Sequence, residues 1–299
     1  MSKVPSSTLK SLGGQPSPGA PEPVSFGARV VDEALHGGLA RGALHEIIAT
    51  GTSDAAAATG FALGLACRAA GKKPIVWVRQ DVLDTELGQP NARGLAELGL
   101  DPRRIILVRA HDATGGLRAA GEAARCGAIG AVVIAPWGDP RVLDLTASRR
   151  LSLATAKSGV TAFMLRVCAR VSPSSAVTRW EVQPRPSEAL AATAHCDPAV
   201  LTVAAKAKHG AHCDSAPGLA LQRCASRHAP GFPVFAVTLK RHRGGVAERQ
   251  WLVEWNRDQR CFEDRSTADE RPVSRRVVPP PRGQPAGPGP PRQILRRAG

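Results

Sequence analysis

Apolar residues occur along the chain in short continuous runs, and these runs alternate with amphipathic stretches that have the period of a helix. The runs are 74–79 (PIVWVR), 104–108 (RIILV), 130–135 (GAVVIA) and 160–166 (VTAFMLR). The run 74–79 is typical of a strand covered on both faces, 130–135 predicts another buried strand, and the other two runs predict strands. Helices are predicted over 29–35, 54–70, 91–98, 117–126 and 139–157. The alternation predicts an α/β fold whose mostly parallel sheet is flanked by helices.

The pattern changes after residue 172, where strand-like segments follow one another without helices. These segments are 176–182, 233–241 and 249–256, and residues 242–245 predict the turn of a C-terminal β-hairpin. Residues 183–231 have no regular pattern, and we interpret them as a loop insertion. Residues 1–25 are rich in Pro, Ser and Gly, and 257–299 in Pro and Arg, which predicts disordered termini. One domain over 26–256 remains.

The stretch 37–60 (GGLARGALHEIIATGTSDAAAATG) has the strand–loop–helix frame of a phosphate-binding loop. Apolar residues 44–48 predict a buried strand, 50–53 predict the loop, and Ser53 or Asp54 is the expected N-cap of the helix. The pattern G-x-x-x-x-G-K-[ST], whose Lys binds phosphate and whose hydroxyl binds magnesium, is absent from the chain. The frame is therefore present without its characteristic chemistry.

Counting on from the predicted strand places the Lys and hydroxyl positions near Ala55 and Ala56, whose methyl groups can do neither task. We interpret the segment as a degenerate phosphate loop that binds no cofactor. Its residues are Gly51, Thr52, Ser53, Ala55 and Ala56. Weak nucleotide binding by the backbone amides of 50–53 is the alternative.

The net charge of +15 suits a nucleic acid or an acidic partner, but the sequence offers a second explanation. The 40 basic residues are mostly Arg and Tyr is absent, which also fits a GC-rich coding bias. No run of 18 apolar residues predicts a membrane span, and no secretory signal is evident. The seven scattered cysteines suit reduced thiols. We expect a cytoplasmic protein, with association with the nucleoid as an alternative.

Basic residues cluster in the predicted hairpin and in the C-terminal tail. The candidates for contact with a partner or DNA are Lys240, Arg241, Arg243 and Arg249 in the hairpin, and Arg292, Arg296 and Arg297 in the tail. A solvated hairpin tip and a tail without a role are the alternatives. Trp251 and Trp255 lie on one face of their strand, which favours core packing over an exposed pair.

Histidines and cysteines between 194 and 228 resemble a set of zinc ligands. The set is His195, Cys196, His209, His212, Cys213, Cys224 and His228. Adjacent ligands such as His195 and Cys196 are poorly placed to hold one ion, and no C-x2-C knuckle exists. We therefore expect no metal site. No catalytic constellation is evident elsewhere, and we expect no enzymatic activity.

The order of these segments resembles the RecA-like core over residues 26–256. The segment GGLARGALHEI, its helix, PIVWVR, LGLDPRRIILV and GAVVIA follow one another in the RecA order. Within that superfamily, three features resemble the ImuA family, the RecA-like and SulA-related accessory proteins of SOS mutagenesis. They are the degenerate loop, the strand SAVTRWEV and the hairpin VTLKRHRGG…RQWLVEWN.

The resemblance implies a non-catalytic accessory role in a damage-induced mutasome that carries out translesion DNA synthesis. The implied partner is an ImuB-like Y-family polymerase homologue acting with an error-prone polymerase, and RecA, a second copy and DNA are further candidates. A RecA-type ATPase needs carboxylates near 80 and 135, where Gln80 and Ala135 stand and only Asp81 is close. The alternatives are a divergent DNA-dependent ATPase of the RecA superfamily and a plain DNA-binding module.

Overall fold

A computed structural model describes residues 21–187, 231–245 and 248–265, and these form one nine-stranded sheet. The strands are β1 (Leu44–Ala49), β2 (Ile75–Gln80), β3 (Ile105–Ala110), β4 (Ala131–Ala135), β5 (Thr161–Val167), β6 (Thr178–Arg185), β7 (Val234–His242), β8 (Arg249–Asn256) and β9 (Cys261–Asp264). Their order is β3-β2-β4-β5-β1-β6-β7-β8-β9. Strands β1 to β6 pair in parallel, whereas β6 to β9 form an antiparallel meander. The predicted mostly parallel sheet and C-terminal hairpin are confirmed.

Helices cover both faces of this sheet. They are α1 (Arg29–Ala34), α2 (Thr52–Ala70), α3 (Val82–Leu87), α4 (Ala92–Glu97), α5 (Ala113–Arg125) and α6 (Leu145–Ser158). Because successive strand residues point to opposite faces, Phe163 and Leu165 of β5 join the core beneath α2. Ala162 and Met164 join the core beneath α5 and α6. This double coverage explains why the central strands read as continuous apolar runs.

The C-terminal meander packs against α2 through aromatic rings. Phe262 of β9 lies 5.1 Å from Phe61 of α2 and 4.8 Å from Trp255 of β8, measured between ring centroids. The Trp255 indole N–H donates to the Leu98 carbonyl over 2.8 Å. Trp251 lies half-buried, 6.0 Å from the Trp180 ring. Core packing of Trp251 and Trp255 is thereby confirmed.

Three helices begin at residues other than those predicted. Helix α2 begins at Thr52 after Gly51, and neither Ser53 nor Asp54 caps it. Helix α6 begins after Asp144, whose carboxylate accepts a bond from the Ala147 N–H, rather than at residue 139. Helix α5 begins at Ala113 rather than 117, capped by Asp112. A short helix that the apolar pattern does not predict, α3, covers most of the acidic segment 81–86.

The ordered part of the chain also extends past the predicted boundaries. Strand β9 continues the sheet after Asn256, so the predicted tail from residue 257 begins too early. Val24, within the predicted disordered segment 1–25, exchanges backbone hydrogen bonds of 2.8 and 2.9 Å with Leu39. Strand β6 runs to Arg185, past the predicted start of the insertion at 183. The remainder of the insertion, except 186–187 and 231, lies outside the described residues.

Candidate functional site: a phosphate-loop frame without its cation

The connection between β1 and α2 consists of only two residues, Thr50 and Gly51, instead of the predicted loop over 50–53. A phosphate loop places a whole G-x-x-x-x-G segment between its strand and its helix. Gly51 is extended, with φ −134° and ψ 171°, so it does not supply the left-handed turn that forms an anion-binding nest. The connection is therefore too short and too extended to wrap around a polyphosphate.

A carboxylate occupies the first turn of α2, where a phosphate would have to approach. The Thr50 hydroxyl donates to Asp54 Oδ2 over 3.0 Å, and the Ser53 hydroxyl donates to Asp54 Oδ1 over 3.4 Å. A negative side chain at a helix N-terminus stabilises the helix and repels further anions. The hydroxyls of Thr50 and Ser53 are thus directed to an internal anion, whereas Thr52 is exposed and lines the neighbouring cavity. The sequence alone does not show this pairing.

The positions of a functional Lys and hydroxyl fall at the start of a helix in the strand–loop–helix motif. Here Thr52 and Ser53 open α2, whereas Ala55 and Ala56 lie further along it. Ala55 is buried and Ala56 is exposed. Whether the Lys position is placed at Ala55 or at Thr52, the residue there carries no positive charge. The missing ammonium group is therefore the decisive difference from a functional phosphate loop.

Gln80 and Ala135, the positions where a RecA-type ATPase needs carboxylates, have structural roles instead. The Gln80 side-chain oxygen accepts a bond from the Trp137 backbone N–H over 3.1 Å. Ala135, at the end of β4, is buried. Asp81 lies 3.6 Å from Arg109 Nε and 3.8 Å from His111 Nδ1. Its carboxylate is directed to these two basic side chains at the end of β3, the edge strand of the sheet.

A cavity of about 420 Å³ adjoins the start of α2, between that helix and the segment 87–98. Its lining is mainly apolar and includes Leu63, Trp77 and Leu165. Arg79 is the only cation that lines the cavity, among the described residues, and its guanidinium is already bound. It pairs with Asp84 at 3.2 Å and donates to the carbonyls of Leu83 and Gly88, each over 2.8 Å. The described lining of the cavity thus offers no unpaired cation to a phosphate.

The basic hairpin lies at the other end of the sheet from the β1–α2 connection. In the β6–β7 register Arg241 pairs with Arg179 and His242 with Thr178, and Thr178 in turn pairs with His45 near the start of β1. Lys240 lies 3.7 Å from Glu181, and Arg241 donates to the Ser174 carbonyl over 2.9 Å. Within one chain, these cations cannot replace the missing Lys.

Two of the hairpin candidates are available to a ligand. Arg243 and Arg249 are exposed and have no ion-pair partner within the part of the chain that the structure describes. Arg292, Arg296 and Arg297 lie outside the described residues, as do all seven residues of the predicted His/Cys set. The described residues contain no group of three or more potential metal ligands. None of the described helices has the length and hydropathy needed to cross a membrane.

Comparisons with known proteins give similarity at the level of structure only. No protein-family model matches the chain, and no curated protein matches it significantly. Among solved structures, the chain is similar to the crystal structure of the RadB recombinase, with 15% sequence identity and a TM-score of 0.47. The similarity covers 81% of this chain and 100% of the RadB chain.

Proposed function

We propose that this chain is a non-catalytic, RecA-like accessory protein of a damage-induced mutasome that supports translesion DNA synthesis. The observation that carries the proposal is the two-residue β1–α2 connection, which no Lys follows and beside which Asp54 accepts bonds from the Thr50 and Ser53 hydroxyls. The strand–helix frame is retained while the Lys that would bind phosphate is lacking, and the Thr50 and Ser53 hydroxyls are held by Asp54. A retained frame without nucleotide chemistry suits a scaffold that binds other proteins.

The partner follows from the sequence resemblance to the ImuA family. We propose that an ImuB-like Y-family polymerase homologue binds this chain in the cytoplasm and that an error-prone polymerase joins them. RecA and a second copy of this chain are further candidates for the same role. The exposed β3 edge and the helices beside it provide surface for a protein partner.

The test measures partner binding and nucleotide turnover on the same purified protein. We expect saturable binding to the ImuB-like protein from the same genome by isothermal titration calorimetry. We also expect no magnesium-dependent phosphate release from ATP, with or without single-stranded DNA. DNA-stimulated hydrolysis that is abolished by Thr52→Ala or Ser53→Ala would establish the divergent ATPase instead, since a contaminating enzyme would be insensitive to these changes.

Direct contact with DNA is a second candidate function, favoured by Arg243 and Arg249 at the hairpin, which are exposed and have no ion-pair partner among the described residues. Phosphate contacts predict an affinity that falls steeply with salt. The double variant Arg243→Glu/Arg249→Glu should weaken binding to a labelled single strand, measured by fluorescence anisotropy. The matched control is Lys72→Glu/Arg103→Glu, which makes the same charge change at exposed positions distant from the hairpin in the sheet order. Equal losses in both variants would indicate general charge attraction without a hairpin site.

A further inference from the structure

A groove of about 390 Å³ runs between α5 and α6 on the face of the sheet opposite α2. We call it the α5–α6 groove. Its lining residues are Thr114, Leu117, Arg118, Gly121, Glu122, Arg125, Val142, Ala147, Arg150 and Leu151. The groove shares no residue with the β1–α2 connection, the neighbouring cavity or the basic hairpin.

Small residues keep this groove open. Gly121 of α5 and Ala147 of α6 line it from opposite helices. A Cβ atom added at Gly121 would meet only the Arg125 side chain within 4 Å, at 3.7 Å, which is ordinary contact. Space for a larger side chain therefore exists at this point, and nothing in the backbone there requires glycine.

The interior of the groove is apolar and continues onto exposed apolar surface. Leu151 is buried and Leu117 half-buried, whereas Val142 is 44% exposed. Leu145, at the start of α6, is 53% exposed. Apolar side chains left in water next to an open groove favour the insertion of a large apolar group from a partner.

The rim of the groove carries an excess of positive charge. Glu122 is neutralised by Arg125, with 2.8 Å between the carboxylate oxygen and the guanidinium nitrogen. Arg118 and Arg150 are exposed and have no ion-pair partner among the described residues. Two guanidinium groups without an ion-pair partner in the described part of the chain therefore flank an apolar floor. This arrangement is complementary to carboxylates that surround an apolar side chain.

We propose that the α5–α6 groove binds an acidic segment of a protein partner. A large apolar side chain of that segment inserts between Leu117 and Leu151, and neighbouring carboxylates pair with Arg118 and Arg150. The inference rests on the proposed function in one respect: the partner that supplies the segment is the mutasome protein. A nucleic acid fits less well, because its phosphates would leave the apolar floor uncovered.

The experiment compares three forms of the full chain with the unmodified one. Arg118→Glu/Arg150→Glu reverses the charge of the rim, and Gly121→Leu fills the groove without changing charge. Lys72→Glu/Arg103→Glu is the charge-matched control at exposed positions that do not line the groove. Circular dichroism and thermal denaturation first establish that each variant folds, which is expected because the exchanged arginines are exposed and leucine favours a helix more than glycine does.

Two ligands are titrated, the ImuB-like protein and a fluorescein-labelled peptide DEELLDELFEDL, with KKKLLKKLFKKL as its basic counterpart. We expect the rim variant and the filled variant each to weaken binding of the acidic peptide about tenfold or more. The control should retain affinity within about twofold, and the basic peptide should not bind. The ImuB-like protein should show the same ranking.

The outcomes separate this inference from the proposed function. Binding of the ImuB-like protein that is unchanged in both groove variants would overturn the groove and leave the proposed function standing. Groove-dependent binding of the acidic peptide without binding of the ImuB-like protein would support the groove and overturn that partner. Equal loss in the rim variant and the control, with Gly121→Leu unaffected, would show charge attraction alone and overturn the groove. A labelled single-stranded DNA that binds and shows the groove-variant ranking would also overturn it.

Discussion

His45 lies fully buried in β1, and both of its ring nitrogens are hydrogen-bonded. Nε2 donates to the Ala40 carbonyl over 2.8 Å, so Nδ1 is the nitrogen that accepts from the Thr178 hydroxyl, also over 2.8 Å. The same hydroxyl accepts from the Trp180 indole N–H over 2.9 Å. Burial lowers the pKa of His45 from its ordinary value to about 4. The neutral ring is therefore part of the core.

The stability of the fold should depend on pH through His45. The folded pKa lies below the unfolded value of about 6.5, so the unfolded chain takes up a proton first as pH falls. The contribution of His45 is complete above pH 6.5 and decreases towards pH 4, by about 3 kcal/mol at most. Urea denaturation at pH 7, 6, 5 and 4.5 measures this loss. His45→Gln should reduce the slope, whereas the exposed His111→Gln should not, and equal slopes would contradict the assignment.

Glu46 is a second buried ionisable residue, and it joins three strands of the sheet. Its carboxylate lies 3.3 Å from Arg166 of β5 and 2.6 Å from Arg179 of β6, and it accepts a bond from the Ser174 hydroxyl over 3.0 Å. Arg166 also pairs with Asp139. The two guanidinium groups are therefore compensated by two carboxylates. Removing one carboxylate leaves buried positive charge without a counterion.

Glu46→Gln should lower the free energy of unfolding by about 3 kcal/mol, because it removes the buried negative charge and leaves the guanidinium groups of Arg166 and Arg179 buried. Urea denaturation at pH 7 is the measurement. Glu33→Gln, which removes an exposed partner of Arg29, is the control and should cost less than about 1 kcal/mol. Similar small losses in both variants would show that the cluster around Glu46 does not stabilise the sheet.

At the scale of elements, α2 shows how one helix uses two glycines differently. A Cβ atom at Gly64 would lie 3.0 Å from Phe262 Cζ and 3.1 Å from the Trp255 ring, both of which are buried. At Gly60 the nearest atom would be Phe235 Cζ at 3.7 Å. Gly64 therefore permits close packing of α2 against β8 and β9, whereas Gly60 has room for a methyl group.

The two glycines should respond with opposite signs to alanine. Gly60→Ala should raise the free energy of unfolding by up to about 1 kcal/mol, because alanine has the higher helix propensity. Gly64→Ala should lower it by roughly 1–2 kcal/mol, since overpacking of the aromatic rings exceeds the same propensity gain. Denaturation curves of the two variants at one pH give the comparison directly. A gain at both positions would mean that the rings move aside without cost.

At the scale of the whole molecule, β9 completes the hydrophobic core, although it lies beyond the predicted end of the domain at residue 256. Phe262 is fully buried, and its backbone N–H donates to the Phe26 carbonyl over 2.9 Å. The Asp264 carboxylate accepts a bond from the Val30 N–H over 3.1 Å. These contacts connect the end of the sheet to the first helix, which lies more than two hundred residues earlier in the chain.

Two truncated chains distinguish the contribution of β9 to stability from that of the residues that follow it. A chain that ends at residue 256 should lose at least about 3–5 kcal/mol of stability, the cost of removing a large buried aromatic side chain. A chain that ends at residue 266 keeps β9 and should melt close to the full-length protein. Thermal denaturation followed by far-ultraviolet circular dichroism compares the three. Equal melting temperatures for the two truncated chains would show that β9 adds nothing to stability.

The local pattern predicts the elements well where apolar periodicity is strong, as in β4 and β5, which are buried on both faces. The pattern fails to locate the start of a helix where more than one acidic residue could serve as its N-cap. Asp139 followed by Pro140 has the pattern of a helix start, yet Asp139 is bound by Arg166 from a strand distant in sequence, and Asp144 caps α6 instead. Likewise, nothing local indicates that Asp54 accepts bonds from the Thr50 and Ser53 hydroxyls of the candidate site.

The sequence by itself determined the order of the central strands, their covered faces and the absence of a phosphate-binding Lys, because these depend on residue type and near-neighbour spacing. The tertiary structure alone decided that the β1–α2 connection has two residues, that the basic hairpin lies at the far end of the sheet, and that Arg118 and Arg150 face one groove. Those features depend on pairing between segments distant in the chain, where the energy of packing, not local preference, selects the arrangement.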